Sequence, residues 1–364
     1  MSISTDSASA TIARRRRLHA LDALEQAVDG RDARPLHEVV TDNLREVWKN
    51  GGRKRDDKPG LQPESILIRD AFVATTAEDA HGPALPRLVQ SKGLQLRLYL
   101  LMLFDAQCRH TADDVRVRNV RTVSPSNGPY RSWGEIVLSA PDHQQKQQPI
   151  AWQIARRRRE RQIKEAMLAL ETTPRLLNID LTNNGRKRRN YDKPTLLAED
   201  STPDAQAHYG IPTVQCFRVP REFFTNLWVF ALTDTEIACY LALRWAFEQA
   251  PMADRTNFFI VSQERETRLR LTRTTWDSIE RLQAYGLIRR NDFSGRDPVT
   301  GHIESFRDKW QAGEVASPRY AFYRDGVKRP ALRAMRNALL NPVVPVPPDP
   351  LNVVLTAPAA QAAP

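Results

Sequence analysis

Cysteine is scarce in this chain, and the few cysteines present are not arranged for chemistry. Three occur among 364 residues: Cys108, Cys216 and Cys239. They lie far apart, with no CxxC pair and no histidine at metal-ligand spacing, which argues against a disulfide framework or a structural zinc site. Ordinary buried thiols in a reducing compartment are the simplest interpretation.

Long apolar runs are also missing. No stretch approaches the roughly 18 residues that a membrane span needs, and Met1–Arg17 lacks the apolar centre of a signal peptide. We therefore predict a soluble, cytoplasmic protein with no membrane partner.

The usual catalytic and metal-binding motifs are absent too. There is no GxxxxGK[ST] phosphate-binding loop and no GxSxG nucleophile motif. The seven histidines are scattered, without HxH, HxxxH or HExxH spacing. Carboxylates are abundant, but no particular set is distinguished by its spacing. The sequence thus predicts no catalytic residues, no metal site and no cofactor.

Positive charge, in contrast, is plentiful. The chain carries 54 lysines and arginines against 43 acidic residues, a formal net charge of +11. Such an excess favours a polyanionic partner, although charge describes association rather than fold. The length suggests two or three domains, and 41% hydrophobic residues suffice to build their cores.

The segment Ser262–Arg290 has the pattern of two short helices followed by a strand. Ser262 and Thr272 are suited to begin these helices as N-caps, and Gly286 is suited to end the second in a left-handed conformation. One face of the second helix is apolar, with Trp276, Ile279 and Leu282. The opposite face offers hydrogen-bonding side chains suited to a DNA groove, namely Arg273, Thr274, Asp277, Ser278 and Arg281.

The surroundings of this segment extend the pattern. A capping box at Thr233 and Glu236 opens an apolar helix before it. After it, Leu287–Phe293 is predicted to pair with Arg319–Tyr323 as a hairpin wing, across a long insertion. For Asp277 two interpretations remain open, since it can accept from a cytosine amino group or pair with an arginine four residues away.

A similar order is predicted nearer the N-terminus. In Pro149–Glu171 the apolar position Ile154 lies half a turn out of phase with Ile163, so we expect two helices joined near the arginines between them. Leu176–Leu181 reads as a strand and Asn183–Gly185 as a tight turn. A basic return strand would complete a second wing.

The basic residues of this region form two clusters. The helical segment carries Arg156, Arg157, Arg158, Arg159, Arg161 and Lys164, and the hairpin carries Arg186, Lys187, Arg188 and Arg189. A charge run is usually only a solvated face. Arginines in the first turn of a helix, however, would oppose its macrodipole. A basic helix beside a basic wing also fits a recognition helix in the major groove with the wing on phosphates, so we predict DNA contacts for both clusters.

These patterns predict a mainly α chain with small β wings, in four parts. Residues 1–60 form a basic N-terminal arm and helical extension, disordered over Met1–Thr11 and helical over Leu18–Val28 and Pro35–Asn50. Residues 61–200 and 201–340 form two domains of like element order. Residues 341–364 form a Pro/Ala-rich, disordered tail.

In this order of elements the chain resembles the tandem winged-helix replication initiators of plasmids. The resemblance covers about Gln62–Arg324, and its most specific segment is SQERETRLRLTRTTWDSIERLQAYGLIRR. It implies two winged-helix domains that bind repeated sites on double-stranded DNA at an origin, with a dimeric form that acts as a repressor. It also assigns recognition helices, with Arg157, Arg158, Arg161 and Lys164 on the first and Arg273, Thr274, Ser278 and Arg281 on the second.

Three hypotheses about function follow. The first is a replication initiator, associated with plasmid or nucleoid, that recruits host replication proteins and has no ATPase of its own. The second is a transcriptional regulator that forms a homodimer through the helices of Leu18–Val47 and binds a palindrome. The third is a non-catalytic scaffold whose winged helices make protein–protein contacts. A recognition helix without basic residues would mark the third, and the arginine-rich segment contradicts that marker.

Overall fold

The computed structural model describes residues 3–28, 34–55, 58–75, 82–91, 93–114, 117–139, 151–182, 188–200, 207–291 and 318–341. The first third holds α1 (Ile3–Gln26), α2 (Leu36–Asn50), β1 (Ser65–Arg69), α3 (Asp70–Val73), α4 (Ala84–Gln90) and α5 (Gln95–Arg109). The middle holds α6 (Trp133–Ile136), α7 (Ala151–Thr172), β2 (Leu177–Asn178), β3 (Thr195–Leu196) and β4 (Cys216–Pro220). The last third holds α8 (Glu222–Thr225), α9 (Trp228–Ala231), α10 (Asp234–Gln249), β5 (Phe258–Phe259), α11 (Ser262–Thr267), α12 (Arg273–Trp276), α13 (Ser278–Ala284), β6 (Ile288–Asn291), β7 (Arg319–Phe322) and α14 (Ala331–Leu340). The chain is therefore mainly helical with small antiparallel sheets, as the sequence predicts.

Some predictions fall outside the described ranges. These are the hairpin turn at 183–185, the neighbouring Arg186 and Lys187, the insertion at 294–317 and the tail from 342 onwards. Within the described ranges, no helix combines the length and the apolar character that crossing a bilayer requires.

The N-terminal helices are built into the body of the protein. The predicted disorder of Met1–Thr11 is wrong from Ile3 onwards, where α1 begins. The predicted α2 is confirmed, and it ends at Gly51 in a left-handed conformation with φ of 72°. Apolar side chains of both helices, among them Leu21, Val40 and Leu44, are buried in the chain's own core. A dimer formed through these helices would have to use their other faces.

The arginine-rich segment forms one helix, and the predicted break near the arginines is wrong. α7 runs without interruption from Ala151 to Thr172. Its second half packs Ile163, Met167 and Leu170 into the core, while Ile154 on the opposite side is only half-buried. The half-turn phase difference is real, but Ile154 does not face the same core, so no break is needed to explain it.

The basic hairpin that follows α7 has the predicted antiparallel pairing. β2 pairs with β3, and further out Leu181 bridges Arg189. Two backbone bonds extend the ladder: the Asn190 amide donates to the Asp180 carbonyl at 2.8 Å, and the Thr182 amide to the Arg188 carbonyl at 2.7 Å. The pairing therefore continues from β2 and β3 at least as far as Thr182 and Arg188.

From α10 onwards the last third runs α10, β5, α11, α12, α13, β6, β7 and α14. The capping box on α10 is confirmed, with the Thr233 amide donating to the Glu236 carboxylate at 2.8 Å. β6 pairs with β7 as predicted, and β5 joins as a third strand in the order β5-β7-β6.

The segment between β5 and β6, predicted as two helices, contains three, α11, α12 and α13. Val261 rather than Ser262 occupies the N-cap position of α11. The second predicted helix is interrupted at Asp277, which separates α12 from α13. Gly286 has a φ of 70°, and the Leu287 amide donates to the Leu282 carbonyl at 2.9 Å. α13 therefore ends in the predicted left-handed glycine cap.

A sheet joins the two predicted domains. β1 pairs along its whole length with β4, bringing Ser65 opposite Pro220. On the other edge of β1, the side-chain amide of Gln107 acts like a third strand, accepting from the Leu67 amide at 2.8 Å and donating to the Leu67 carbonyl at 2.7 Å. One cluster of buried apolar residues continues from Leu21 to Met335. The boundary predicted at residue 200 therefore does not separate two hydrophobic cores.

Candidate nucleic-acid interface

The exposed side of α7 carries an aligned set of cations. Arg157, Arg161 and Lys164 are spaced by four and three residues and are all exposed, on the face opposite the buried Ile163 stripe. Arg158 is exposed beside them. These residues lie in the middle of a long helix, where the predicted macrodipole penalty on positive charge does not arise. Their alignment puts several positive charges on one solvent-facing surface.

Two other predicted contacts on α7 bind the protein itself. The Arg156 Nε atom lies 3.0 Å from the Glu160 carboxylate, and Arg159 donates to the Gly134 carbonyl at 2.9 Å. The Arg159 contact fastens α7 to α6. Both side chains are half-buried and bonded within the chain, and their predicted contact with DNA stays a prediction.

The hairpin adds one exposed cation to this surface. Arg188 is exposed and forms no ion pair with any residue that the structure describes. Arg189 is instead bound to Glu171 at the end of α7, with its Nη2 atom 2.9 Å from the carboxylate. This pair holds the hairpin against the helix.

A cleft of about 640 Å³ lies between α7, the hairpin and the loop at 122–126. Its walls carry cations, hydroxyls and one aromatic ring: Thr122, Val123, Ser124, Pro125, Ser126, Lys164, Thr182, Arg188, Arg189, Asn190, Tyr191 and Asp192. The Lys164 ammonium lies 5.9 Å from the centre of the Tyr191 ring. Sequence reasoning missed the cleft, because its three walls come from separate segments and no local periodicity connects them.

The loop wall of the cleft is held by hydrogen bonds from both sides. The Val123 amide donates to the Asp192 carboxylate at 2.8 Å. Behind the loop, Arg121 is fully buried and donates to the carbonyls of Arg131 at 2.7 Å and Gly51 at 2.9 Å. The loop is therefore fixed to the hairpin in front and to the end of α2 behind.

A buried carboxylate balances the charge of Arg121. Asp105 on α5 accepts from Arg121 Nε at 2.8 Å and from Arg109 Nη2 at 2.7 Å. Burial raises the pKa of the Asp105 carboxyl, but the two guanidinium groups outweigh this effect and hold its pKa below the ordinary value. Asp105 is therefore an ionised anchor of the framework around the cleft.

Comparison with protein-family models, with curated proteins and with solved structures found no match to this chain. The chemistry of the site has to be argued from its own residues. Across the described part of the chain, no group of histidine, cysteine, aspartate and glutamate side chains is assembled that could hold a metal ion.

In the last third, the structure separates the predicted contact residues into two groups. Arg273, Thr274 and Asp277 are exposed on α12 and the turn that follows it. Ser278 is fully buried, so its predicted contact with DNA is wrong. Its hydroxyl oxygen instead accepts from Arg281 Nη2 at 3.0 Å.

Arg281 forms an ion pair with a buried carboxylate. Its Nε atom lies 3.1 Å from the carboxylate of Glu236, which is 1% exposed. Arg17 on α1 binds the same carboxylate at 2.8 Å. A buried carboxylate left without a cation is costly, so Arg281 has a structural role as a partner of Glu236. Its side chain is nevertheless 48% exposed, and its contact with DNA stays a prediction. The ion pair predicted between Asp277 and Arg281 is not formed, because Arg281 pairs with Glu236 instead.

The two exposed helix faces therefore differ in charge. The α7 face combines Arg157, Arg161 and Lys164 with Glu165, which lies 3.4 Å from Arg161, and Asp192 of the hairpin lines the same cleft as Lys164. The α12–α13 face combines Arg273 with Asp277 and Glu280. A polyanion would be attracted more strongly to α7.

Proposed function

We propose that this chain is a sequence-specific double-stranded DNA-binding protein without catalytic activity. The observation that carries the proposal is the exposed row of Arg157, Arg161 and Lys164 on α7, with Arg188 on the adjoining hairpin. A helix with cations on its outer face suits the major groove, and a basic hairpin beside it suits the flanking phosphates.

The order of elements supports a winged-helix interpretation of the last third. α10, β5, α11, α12–α13, β6 and β7 follow one another with the sheet order β5-β7-β6, which suits a helix-turn-helix whose second helix is presented by a wing. A shorter form of the same order runs through α5, α6, α7, β2 and β3. In this interpretation α7 and α12–α13 are the two recognition helices.

Among DNA-binding roles we favour replication initiation on repeated origin sites, in plasmid or nucleoid DNA, with host proteins supplying the helicase. Two recognition helices in one chain suit adjacent sites of one repeat. The alternative is a dimeric transcriptional regulator on a palindrome. It is less well supported, because apolar residues of α1 and α2 such as Leu21 and Leu44 are already buried within the chain. The scaffold hypothesis does not account for the exposed cations of α7.

Selection from a random duplex library at near-physiological salt, with sequencing of the bound pool, tests the proposal. Directly repeated motifs are expected for an initiator, and an inverted repeat would favour the dimeric regulator. A pool without enrichment, combined with weak binding that vanishes as salt rises, would contradict sequence-specific recognition.

Removing the exposed arginines of α7 should weaken duplex binding. With Arg157, Arg158 and Arg161 together replaced by Ala, we expect the salt dependence to fall by about 0.9 in slope for each DNA phosphate that is no longer neutralised. Filter binding or fluorescence anisotropy over a salt series measures both affinity and slope.

A matched control removes the same charge from other helices. Arg45, Lys49 and Arg333 are exposed on α2 and α14, and their joint replacement by Gln should change the affinity much less. Equal losses of affinity for the two triple variants would mean that net charge, rather than the α7 face, drives binding.

A further inference from the structure

The cleft between α7 and the hairpin is lined by more kinds of functional group than a contact with a phosphate alone requires. Its cations Lys164 and Arg188 form no ion pair with a described residue. Its described lining includes one carboxylate, Asp192, which accepts from the Val123 amide at 2.8 Å. Arg189 is paired with Glu171, and the two remaining cations outnumber this carboxylate. The walls therefore keep an excess of positive charge that an anionic ligand would neutralise.

The walls also offer an aromatic surface and neutral hydrogen-bonding groups. Tyr191 is half-buried and packs in part against the hydrophobic core, with the Lys164 ammonium 5.9 Å from its ring centre. The side chains of Ser124, Ser126 and Asn190 line the same cleft. A ring beside a cation suits a ligand that has a flat face and a negative charge close together.

The shape of the cleft selects between ligands of this kind. Its volume of about 640 Å³ falls within the roughly 300–1,000 Å³ typical of small-molecule sites. Double-stranded DNA presents a convex backbone with its bases stacked inside, so a duplex reaches the outer face of α7 more easily than the bottom of a cleft. An unpaired nucleotide has its base and its phosphate both free.

We propose that this cleft binds a single unpaired nucleotide, with the phosphate at Lys164 and Arg188 and the base against Tyr191. The proposal extends the proposed function, since a strand bound here would lie next to the duplex bound by α7. The ligand chemistry is a nucleotide phosphate, supplied either by an unpaired stretch of a DNA strand or by a free mononucleotide. No bond is made or broken in this binding.

The test measures fluorescence anisotropy of a labelled oligothymidylate of about ten nucleotides, a length on the order of known single-strand sites. The full chain is compared with Tyr191→Leu, which keeps an apolar side chain but removes the ring. We expect binding to weaken by about tenfold, since stacking on one aromatic residue contributes roughly that much. Tyr191→Phe should bind like the unchanged protein.

Two controls make the result specific. Tyr323→Leu removes another tyrosine ring, 48% exposed and outside the cleft, and should leave oligothymidylate binding unchanged. Arg157→Gln, on α7 but outside the cleft, should weaken duplex binding and leave oligothymidylate binding unchanged.

Arg188→Gln tests the cleft itself, because it removes one of the two cations proposed to bind the phosphate. It should weaken oligothymidylate binding and lower its salt slope by about 0.7.

The outcomes separate this proposal from the proposed function. If the duplex binds normally but the oligothymidylate does not, or if Tyr191→Leu and Tyr323→Leu behave alike, the cleft proposal is overturned and duplex recognition stands. If no duplex is selected while oligothymidylate binding depends on Tyr191, the cleft proposal stands alone. Competition by thymidine monophosphate would assign the site to a free nucleotide, and competition only by longer strands to DNA.

Discussion

At the scale of single residues, ion pairs with buried carboxylates separate arginines that look alike in the sequence. Arg121 forms an ion pair with the buried Asp105, and Arg281 forms one with the buried Glu236. Arg157 lies in solvent on α7. Sequence alone does not distinguish these arginines, because the partner carboxylates of the first two lie 16 and 45 residues away. Burial of the partner carboxylate, and not the arginine residue type, identifies the arginines that the fold requires.

The Asp105 carboxylate should be one of the most sensitive single sites for stability. Asp105→Asn leaves the guanidiniums of Arg109 and Arg121 without their anion, and removing one partner of a buried pair costs on the order of 3–5 kcal/mol. Urea unfolding at neutral pH measures the loss of stability. Asp113→Asn, at an exposed position, is the control and should have little effect.

The effect of Asp105 should also depend on pH in one direction. Its pKa is lowered in the folded chain, so its contribution to stability is present above its unfolded pKa of about 3.9 and is lost as the pH falls through the folded pKa. The stability difference between the unchanged protein and Asp105→Asn should therefore shrink in acid. A difference that stays constant below about pH 4 would contradict an ionised Asp105.

At the scale of elements, two predictions based on local signals are confirmed, whereas the sheet that joins the two predicted domains was not predicted. The Thr233 capping box and the Gly286 helix end depend on neighbours in sequence, and both are present. β1 and β4 escape prediction, since each is a short strand whose partner lies about 150 residues away. The prediction of two helices in α7 requires Ile154 to share a core with Ile163, which it does not. The cleft, built from three segments, has no signal that periodicity could detect.

The continuity of α7 can be tested with proline. Arg158 is exposed in the middle of the helix, and Arg158→Pro should destabilise the protein by about 3 kcal/mol or more, because proline removes a helix hydrogen bond and clashes with the preceding turn. Arg158→Ala removes the same charge and should have a small effect. Urea unfolding compares the two. Similar stabilities of Arg158→Pro and Arg158→Ala would instead support an interruption of the helix near the arginines.

At the scale of the whole molecule, the β1–β4 sheet and the continuous core make the halves interdependent. Ser65–Arg69 and Cys216–Pro220 come from the two predicted domains and pair along their full length. α1 and α14 also meet, with Arg336 Nη2 2.6 Å from the Glu25 carboxylate. The similar order of elements in the sequence suggests two separable units, but order carries no information about contacts between them.

We therefore expect the chain to unfold in one transition. Circular dichroism reports mainly on the helices, and tryptophan fluorescence reports on sites that include Trp133 and Trp228, buried in the two predicted domains. The two signals should give coincident urea curves, as a two-state unit does. Two separated transitions would show that the halves unfold independently and would contradict the role assigned to the β1–β4 sheet.

Under the proposed DNA binding, the same sheet has a consequence for the spacing of the sites. Because α7 and α12 are attached to one continuous core, the distance and the angle between their exposed faces are set by packing and not by a linker. Each base pair inserted into a target moves one segment by about 3.4 Å and turns it by about 35° around the helix axis. Such a protein would recognise the spacing of two segments as part of the signal. Affinity should then fall steeply with the first inserted base pairs, whereas tethered units would tolerate them.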